Sequence, residues 1–194
     1  MIKKMKEIKN IILNIPNIEK LKKNGLKVGT NFDVQRGCII DPHHCWLISI
    51  GNNVTLAPGV HILAHDASTK KTLGYTKIGL VNIGDNVFIG AHTTILPNVK
   101  IGNNVIIGAN SIITRDIPND TVAVGNPCRV VEKYDDFIAK NKKLLESKPK
   151  FQENWTVDGK IDNDKKEKMK KILLKEKIGF VKEKKKFYEY KIKK

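Results

Sequence analysis

His65 precedes Asp66 in the segment HILAHDASTKKTLGYTKIG, which has no regular apolar pattern. An imidazole there is a candidate general base. Unperturbed imidazole titrates near 6.5, so it can take a proton from a hydroxyl or amine close to neutrality. Asp66 is a candidate substrate contact or orienting group, although adjacent side chains on an extended chain face opposite ways. His92 follows the small pair Gly90-Ala91 and is a candidate substrate contact. His43 and His44, in DPHHCW, suit an acceptor contact or corner packing equally. His61, His65 and His92 supply the residue type for a zinc site, but zinc needs converging imidazoles. The hexad phase described below turns His61 outward, so no metal is expected. Cys38, Cys45 and Cys128 are odd in number and widely spaced, which fits free thiols in a reducing compartment better than a disulfide framework.

Such groups need a scaffold, and the middle of the chain supplies a repeat. From Ile83 an aliphatic residue recurs every six positions: Ile83, Ile89, Ile95, Ile101, Ile107, Ile113. Ile50, Leu56 and Ile62 show the same hexad earlier, and Val28, Val34 and Ile40 a weaker one. Period six is neither the helical 3.6 nor a simple strand alternation. It fits short parallel strands joined by tight corners, each strand sending one aliphatic side chain into a shared core. Three hexads close one coil of a β-solenoid. The spacing breaks between Ile62 and Ile83, which predicts an extruded loop over residues 66–82. Excursions from a rigid scaffold are favoured places for function.

The flanks differ. Residues 1–27 read as an N-terminal helical segment with apolar positions at Ile2, Met5, Ile8, Ile12 and Ile15, then a short turn at Ile18 and Leu21. Residues 28–131 form the repeat domain. Residues 132–194 form a basic helical extension: helices are predicted over 135–146 and 163–178, with a linker over 149–162. These helices are expected to cover the open end of the solenoid.

The 194 residues carry a formal charge of +16. The three segments carry +6, +1 and +9, so the repeat is nearly neutral and the charge lies in solvated flanks. Only Arg36, Arg115 and Arg129 are arginines, whereas base-edge readout favours Arg. No nucleic-acid partner is expected. No apolar run reaches the ~18–20 residues of a membrane span, and the N-terminal stretch lacks a small-residue cleavage site. A cytoplasmic protein is expected, with at most a loose association with a membrane surface.

The stretches ISIGNNVTLAPGVHILAHD and VNIGDNVFIGAHTTILPNVKIGNNVIIGANSIITRDIPNDTVAVGNPCRVV resemble the hexapeptide-repeat acyltransferases. They are most similar to the maltose, galactoside and nodulation acetyltransferases and the capsule or lipopolysaccharide O-acetyltransferases. The resemblance covers about residues 28–133. It implies a mainly β protein: a left-handed parallel β-helix, assembled as a homotrimer with active sites between subunits. It implies acetyl-CoA as acyl donor and a saccharide acceptor. The family's catalytic His matches His65. Ala91 and Ala109 match the pantetheine groove, and Thr114, Arg115 and Arg129 match further cofactor contacts. Glu132 stands where a second CoA-binding Arg is common, so Lys133 is the substitute. Gln35 and Asp41 match acceptor contacts.

The function expected is transfer of acetyl from acetyl-CoA to a sugar hydroxyl, of a surface polysaccharide or small saccharide, with His65 as base. N-acetylation of an amino sugar is the close variant. A zinc-dependent carbonic anhydrase-like lyase and a non-catalytic solenoid are the alternatives of other classes.

Overall fold

The structure is a computed structural model in which residues 14–182 are described. The chain divides into two compact units, Asp135–Phe187 forming the second. Residues 2–13 of the predicted N-terminal helical segment lie outside the described residues, and Asn14 and Ile15 are not helical. The first described helix is α1 (Ile18–Lys23), which buries Ile18 and Leu21. The Asn17 side chain caps it by accepting from the Lys20 N–H at 3.0 Å.

Four coils follow. The first holds β1 (Lys27–Val28), β2 (Asp33–Val34) and β3 (Ile39–Ile40). The second holds β4 (Ile48–Ile50), β5 (Thr55–Leu56) and β6 (His61–Ile62). A hairpin of β7 (His65–Asp66), the short helix α2 (Lys70–Leu73) and β8 (Lys77–Ile78) then leaves the coil. The third coil holds β9 (Val81–Ile83), β10 (Val87–Ile89) and β11 (Thr94–Ile95), and the fourth β12 (Val99–Ile101), β13 (Val105–Ile107) and β14 (Ile112–Ile113). The strands stack in parallel into three sheets, β1-β4-β9-β12, β2-β5-β10-β13 and β3-β6-β11-β14. β15 (Thr121–Val124) extends the second sheet, and β16 (Arg129–Lys133) closes it antiparallel. The weak hexad of Val28, Val34 and Ile40 is therefore a full coil.

Register follows the repeat. Ile50 pairs with Ile83, Leu56 with Ile89 and Ile62 with Ile95. All six are at most 4% exposed. The hexads that begin at Ile50, Leu56 and Ile83 to Ile113 each bury two side chains, not the single one expected from the aliphatic repeat. A three-residue strand alternates faces, so Val87 and Ile89 point in while Phe88 points out. Full burial of such a side chain contributes about 1.5–3 kcal/mol. Thr93 and Ser111 take the second inward place in two hexads, and each donates its hydroxyl to the Gly108 carbonyl, at 3.1 and 2.7 Å.

The corners between the first and second sheets are left-handed. Asn53, Asn86, Asn104 and Asp120 have φ of 54, 56, 52 and 57°, a region Asn and Asp tolerate better than other side chains. Their side chains form a ladder. Asn53 Nδ2 donates to Asn86 Oδ1 at 2.9 Å, Asn86 to Asn104 at 3.0 Å and Asn104 to Asp120 at 2.8 Å. The recurring Gly-Asn-Asn and Gly-Asp-Asn of the sequence are these corners.

In the second unit, helix α3 (Tyr134–Ser147) leads to helix α4 (Asn163–Glu176), which Asp162 caps by accepting from the Lys165 N–H at 2.7 Å. Phe137, Ile138 and Leu144 are half-buried, but Leu145 is exposed. The intervening segment is not the linker expected. It carries β17 (Lys150–Phe151), paired with β18 (Phe180–Val181), and a 3-10 turn at Glu153–Trp155. Phe151 is buried and stacks on Trp155 with ring centroids 5.1 Å apart, which gives this polar stretch an apolar anchor.

Candidate active site

Both departures from the hexad leave at one corner, between the third sheet and the first. From Ile40 to Ile50 the chain takes ten residues instead of six, and the excess is the DPHHCW turn. From Ile62 it takes the hairpin. β3 and β6 are neighbours, with Ile40 opposite Ile62, and Asp41 N–H donates to the Ile62 carbonyl at 2.9 Å. Residues that follow β3 and β6 therefore meet at this corner.

Asp41 sits at its centre with its side chain wholly enclosed. Oδ1 accepts the backbone N–H of His43 at 3.0 Å and of His44 at 3.2 Å. Oδ2 accepts the Ala64 N–H at 3.1 Å and lies 2.5 Å from His65 Nδ1. Burial opposes the charged form, but the His65 contact and the three N–H groups outweigh it and hold the carboxyl below the usual carboxylate range. An ionised carboxylate only accepts, so His65 Nδ1 carries the donated proton, and in the neutral ring Nε2 keeps its lone pair. The His65 side chain is 28% exposed, which leaves an edge of the ring open. Asp41 has no open face for an acceptor molecule, so the acceptor contact expected of it gives way to an internal one.

Asp66 turns away from the imidazole, as alternation requires. Its carboxylate pairs with Lys77 across the hairpin at 2.6 Å and accepts the Ser68 N–H at 2.8 Å. The Lys77 contact holds its carboxyl far below the usual range. His44 lies beside the pair: its ring centroid is 5.1 Å from that of His65, and its Nδ1 is 3.9 Å from Asp41 Oδ2. Sequence reasoning missed the Asp41–His65 pair and the Lys77 partner. The signal for the first was present, since Asp41 and His65 follow the third strands of successive coils.

The other candidates lie elsewhere on the coils. Gln35 follows β2 and bonds Asp33 at 2.7 Å. Ala91 and Ala109 occupy one row at the corner between the second and third sheets, where the Asn110 N–H donates to the Ala91 carbonyl. His92 is in that row with φ of 57°, and its ring lies over Gly59 of the preceding coil. Thr114 and Arg115 are exposed just after β14, two strands along the third sheet from β6. Arg129 and Lys133 are exposed on β16, Arg129 donating to its neighbour's carbonyl at 2.8 Å. Within one chain Asp41, His65, Thr114 and Arg115 follow strands of the third sheet, Gln35, Ala91, His92 and Ala109 follow strands of the second, and Arg129 and Lys133 lie on β16. Among the described residues His61, His65 and His92 form no ligating group; Asp41, His44 and His65 are the residues that converge.

The bacterial transferase hexapeptide (six repeats) family matches residues 81–115. Protein CapG of Staphylococcus aureus is 38% identical over 130 residues, covering 63% of this chain and 74% of its own. The chain belongs to the bacterial hexapeptide-repeat transferase family. A maltose O-acetyltransferase structure from Clostridium difficile 630 is 46% identical, with a TM-score of 0.50, over 56% of this chain and 59% of that one. A galactoside acetyltransferase solved with coenzyme A is 31% identical, with a TM-score of 0.50, over 63% and 74%. Other relatives match over less: a Staphylococcus aureus (strain MRSA252) protein named for acetyltransferase activity is 42% identical over 65 residues. The chain spans about a third of the length of that relative, 33%. Among the described residues no helix is long and apolar enough to cross a membrane.

Proposed function

We propose that this chain is an acetyl-CoA-dependent acetyltransferase acting on a saccharide hydroxyl, with His65 as general base. The observation that carries the reading is the His65–Asp41 pair, which fixes the tautomer and points the basic nitrogen away from the core. His65 Nε2 takes the proton of the acceptor hydroxyl as its oxygen attacks the thioester carbonyl. A C–O bond forms, the tetrahedral oxyanion collapses, and the C–S bond breaks. The proton returns to the CoA thiolate. Both substrates are held together, so no acyl-enzyme is needed.

The pantetheine arm runs past Ala91 and Ala109, small residues that leave room at their corner. Arg115, Arg129 and Lys133 meet the phosphates, Arg with bidentate geometry, and Thr114 adds a hydroxyl. Because Ala91 and Ala109 lie at a different corner of the chain from His65, a neighbouring copy completes each site. A homotrimer of left-handed β-helices does this, and exposed Trp46, Phe88 and Tyr75 on the first unit suit burial between copies. Gln35 and His92 contact the acceptor. Free buried thiols and an acetyl-CoA donor fit the cytoplasm.

Thiol release from acetyl-CoA, measured against a panel of sugars, amino sugars and polysaccharide precursors, tests the proposal. Acceptor-dependent release that disappears in His65→Ala is expected. A product cleaved by mild base is an ester, and a resistant one an amide. No release with any acceptor, together with no retention on a CoA resin, overturns the proposal.

A further inference from the structure

The Asp41 carboxylate serves one imidazole and faces a second. His44 Nδ1 is shut off from solvent and has no hydrogen-bond partner among the described residues. A buried polar atom left so is unfavourable, and a partner for it is stabilising. Its nearest charged neighbour is Asp41 Oδ2, at 3.9 Å. The donor atoms of Asp41, His44 and His65 all lie within 4.8 Å of one another. Zinc binds imidazole nitrogen and carboxylate oxygen at about 2.0–2.2 Å, which sets neighbouring donors roughly 3.3 Å apart in a tetrahedron. The three donors bracket that value: the His65–Asp41 gap is 2.5 Å and the His44–Asp41 gap 3.9 Å. Ring shifts on the order of 1 Å would place all three around one cation.

From this we infer that Asp41, His44 and His65 form a site for a divalent transition-metal cation of the zinc class, a function beyond acetyl transfer that shares His65 with it. The surroundings suit it. Two imidazoles and one carboxylate are a borderline-soft donor set that favours zinc or cobalt over calcium or magnesium. The backbone N–H groups of His43, His44 and Ala64 already fix the carboxylate, as an outer shell must. The cation takes the place of the proton between His65 and Asp41, so Oδ2 keeps its Ala64 bond and exchanges a hydrogen bond for a metal bond. The cation also meets the orphaned His44 nitrogen. The open edge of His65 and the exposed His43 leave the fourth position accessible to water.

Occupancy has one consequence that rests on the transferase reading. With the metal on Nδ1, the His65 proton sits on Nε2, so the same ring cannot act as a base. Ligand and base roles exclude each other.

The test uses the full chain, stripped with a chelator and titrated with Zn²⁺ by calorimetry and with Co²⁺ by visible absorption. One site per chain and the intense absorption of tetrahedral cobalt are expected. His44→Ala is expected to weaken the affinity by at least about 100-fold, since loss even of an outer-shell partner costs 10–100-fold. Asp41→Asn is expected to act likewise; its circular dichroism is compared with wild type, and His44→Gln provides a second, surface-tolerant variant. No binding by wild type, or wild-type affinity in both His44 variants, overturns the site. Thiol release is expected to fall in step with calorimetric occupancy. Binding to this site with an unchanged rate leaves the metal site standing and overturns His65 as the base.

Discussion

The His65 imidazole and the Asp41 carboxylate are 24 residues apart in sequence and 2.5 Å apart in space, because they follow strands that are neighbours in one sheet. The carboxylate is the more deeply held of the two, and three backbone N–H groups fix it in addition to the imidazole. On the proposed reading Asp41 acts as a positioning residue, through its contact with the His65 ring. Asp41→Asn is therefore expected to lower turnover by about 10²–10⁴-fold, by releasing the tautomer, with little change in the Michaelis constant for acetyl-CoA. Steady-state kinetics with the acceptor found by the panel measure both. A larger effect on the Michaelis constant than on turnover contradicts the assignment.

Removing the base and removing a phosphate contact are expected to separate. His65→Ala lowers turnover by about 10²–10⁴-fold, the usual contribution of a positioned general base, while CoA retention is kept. Arg129→Ala raises the Michaelis constant for acetyl-CoA with a smaller effect on turnover. His92→Ala is expected to be milder than His65→Ala. If His92→Ala abolishes activity while His65→Ala leaves it intact, the roles are reversed.

Asp41 also makes the fold acid-sensitive in a defined direction. Its carboxyl titrates lower in the folded chain than in the unfolded one, where it is near its ordinary 3.8. It therefore stabilises the fold above that ordinary value, and the stabilisation is lost as the pH falls through the depressed folded value. The melting temperatures of wild type and Asp41→Asn are expected to differ most near neutrality and to converge as the pH falls below about 4. A constant gap from pH 7 down to pH 3 would show that the difference is packing alone.

The three cysteines are expected to be silent in the native state. Cys38, Cys45 and Cys128 are buried and unpaired by disulfide. Burial raises the Cys38 and Cys128 thiols above their usual range, which keeps them protonated and unreactive. A thiol-reactive chromophore should label none of them quickly in buffer and all three in denaturant. Fast labelling of any one in the native protein would show an opening at its coil.

Assembly is measurable directly. Light scattering coupled to size exclusion is expected to give about three times the 21.9 kDa chain mass. A monomer with full activity contradicts a site completed by a neighbouring copy.

The coils were legible because an aliphatic at every sixth residue has few structural meanings. Even the weak hexad of Val28, Val34 and Ile40 forms ladder strands. The second inward residue of each hexad was less legible, since Thr93 and Ser111 are polar and buried all the same. His65 was legible as the residue at the break. Its partner was not: the ten-residue step from Ile40 to Ile50 hid the register that sets Asp41 beside it. The short strand at Phe151 was masked by its charged surroundings, and an isolated aromatic carries no period.

The departures at the corner between the third and first sheets leave the ladder intact. Ile48 pairs with Val81 in regular register although a hairpin intervenes. Segments of different length and chemistry can therefore be exchanged at this one corner while the rest of the coil is inherited unchanged. The ladder and the surroundings of His65 are thus set by separate parts of the chain, and a change of length at this junction need not disturb the coil beneath it.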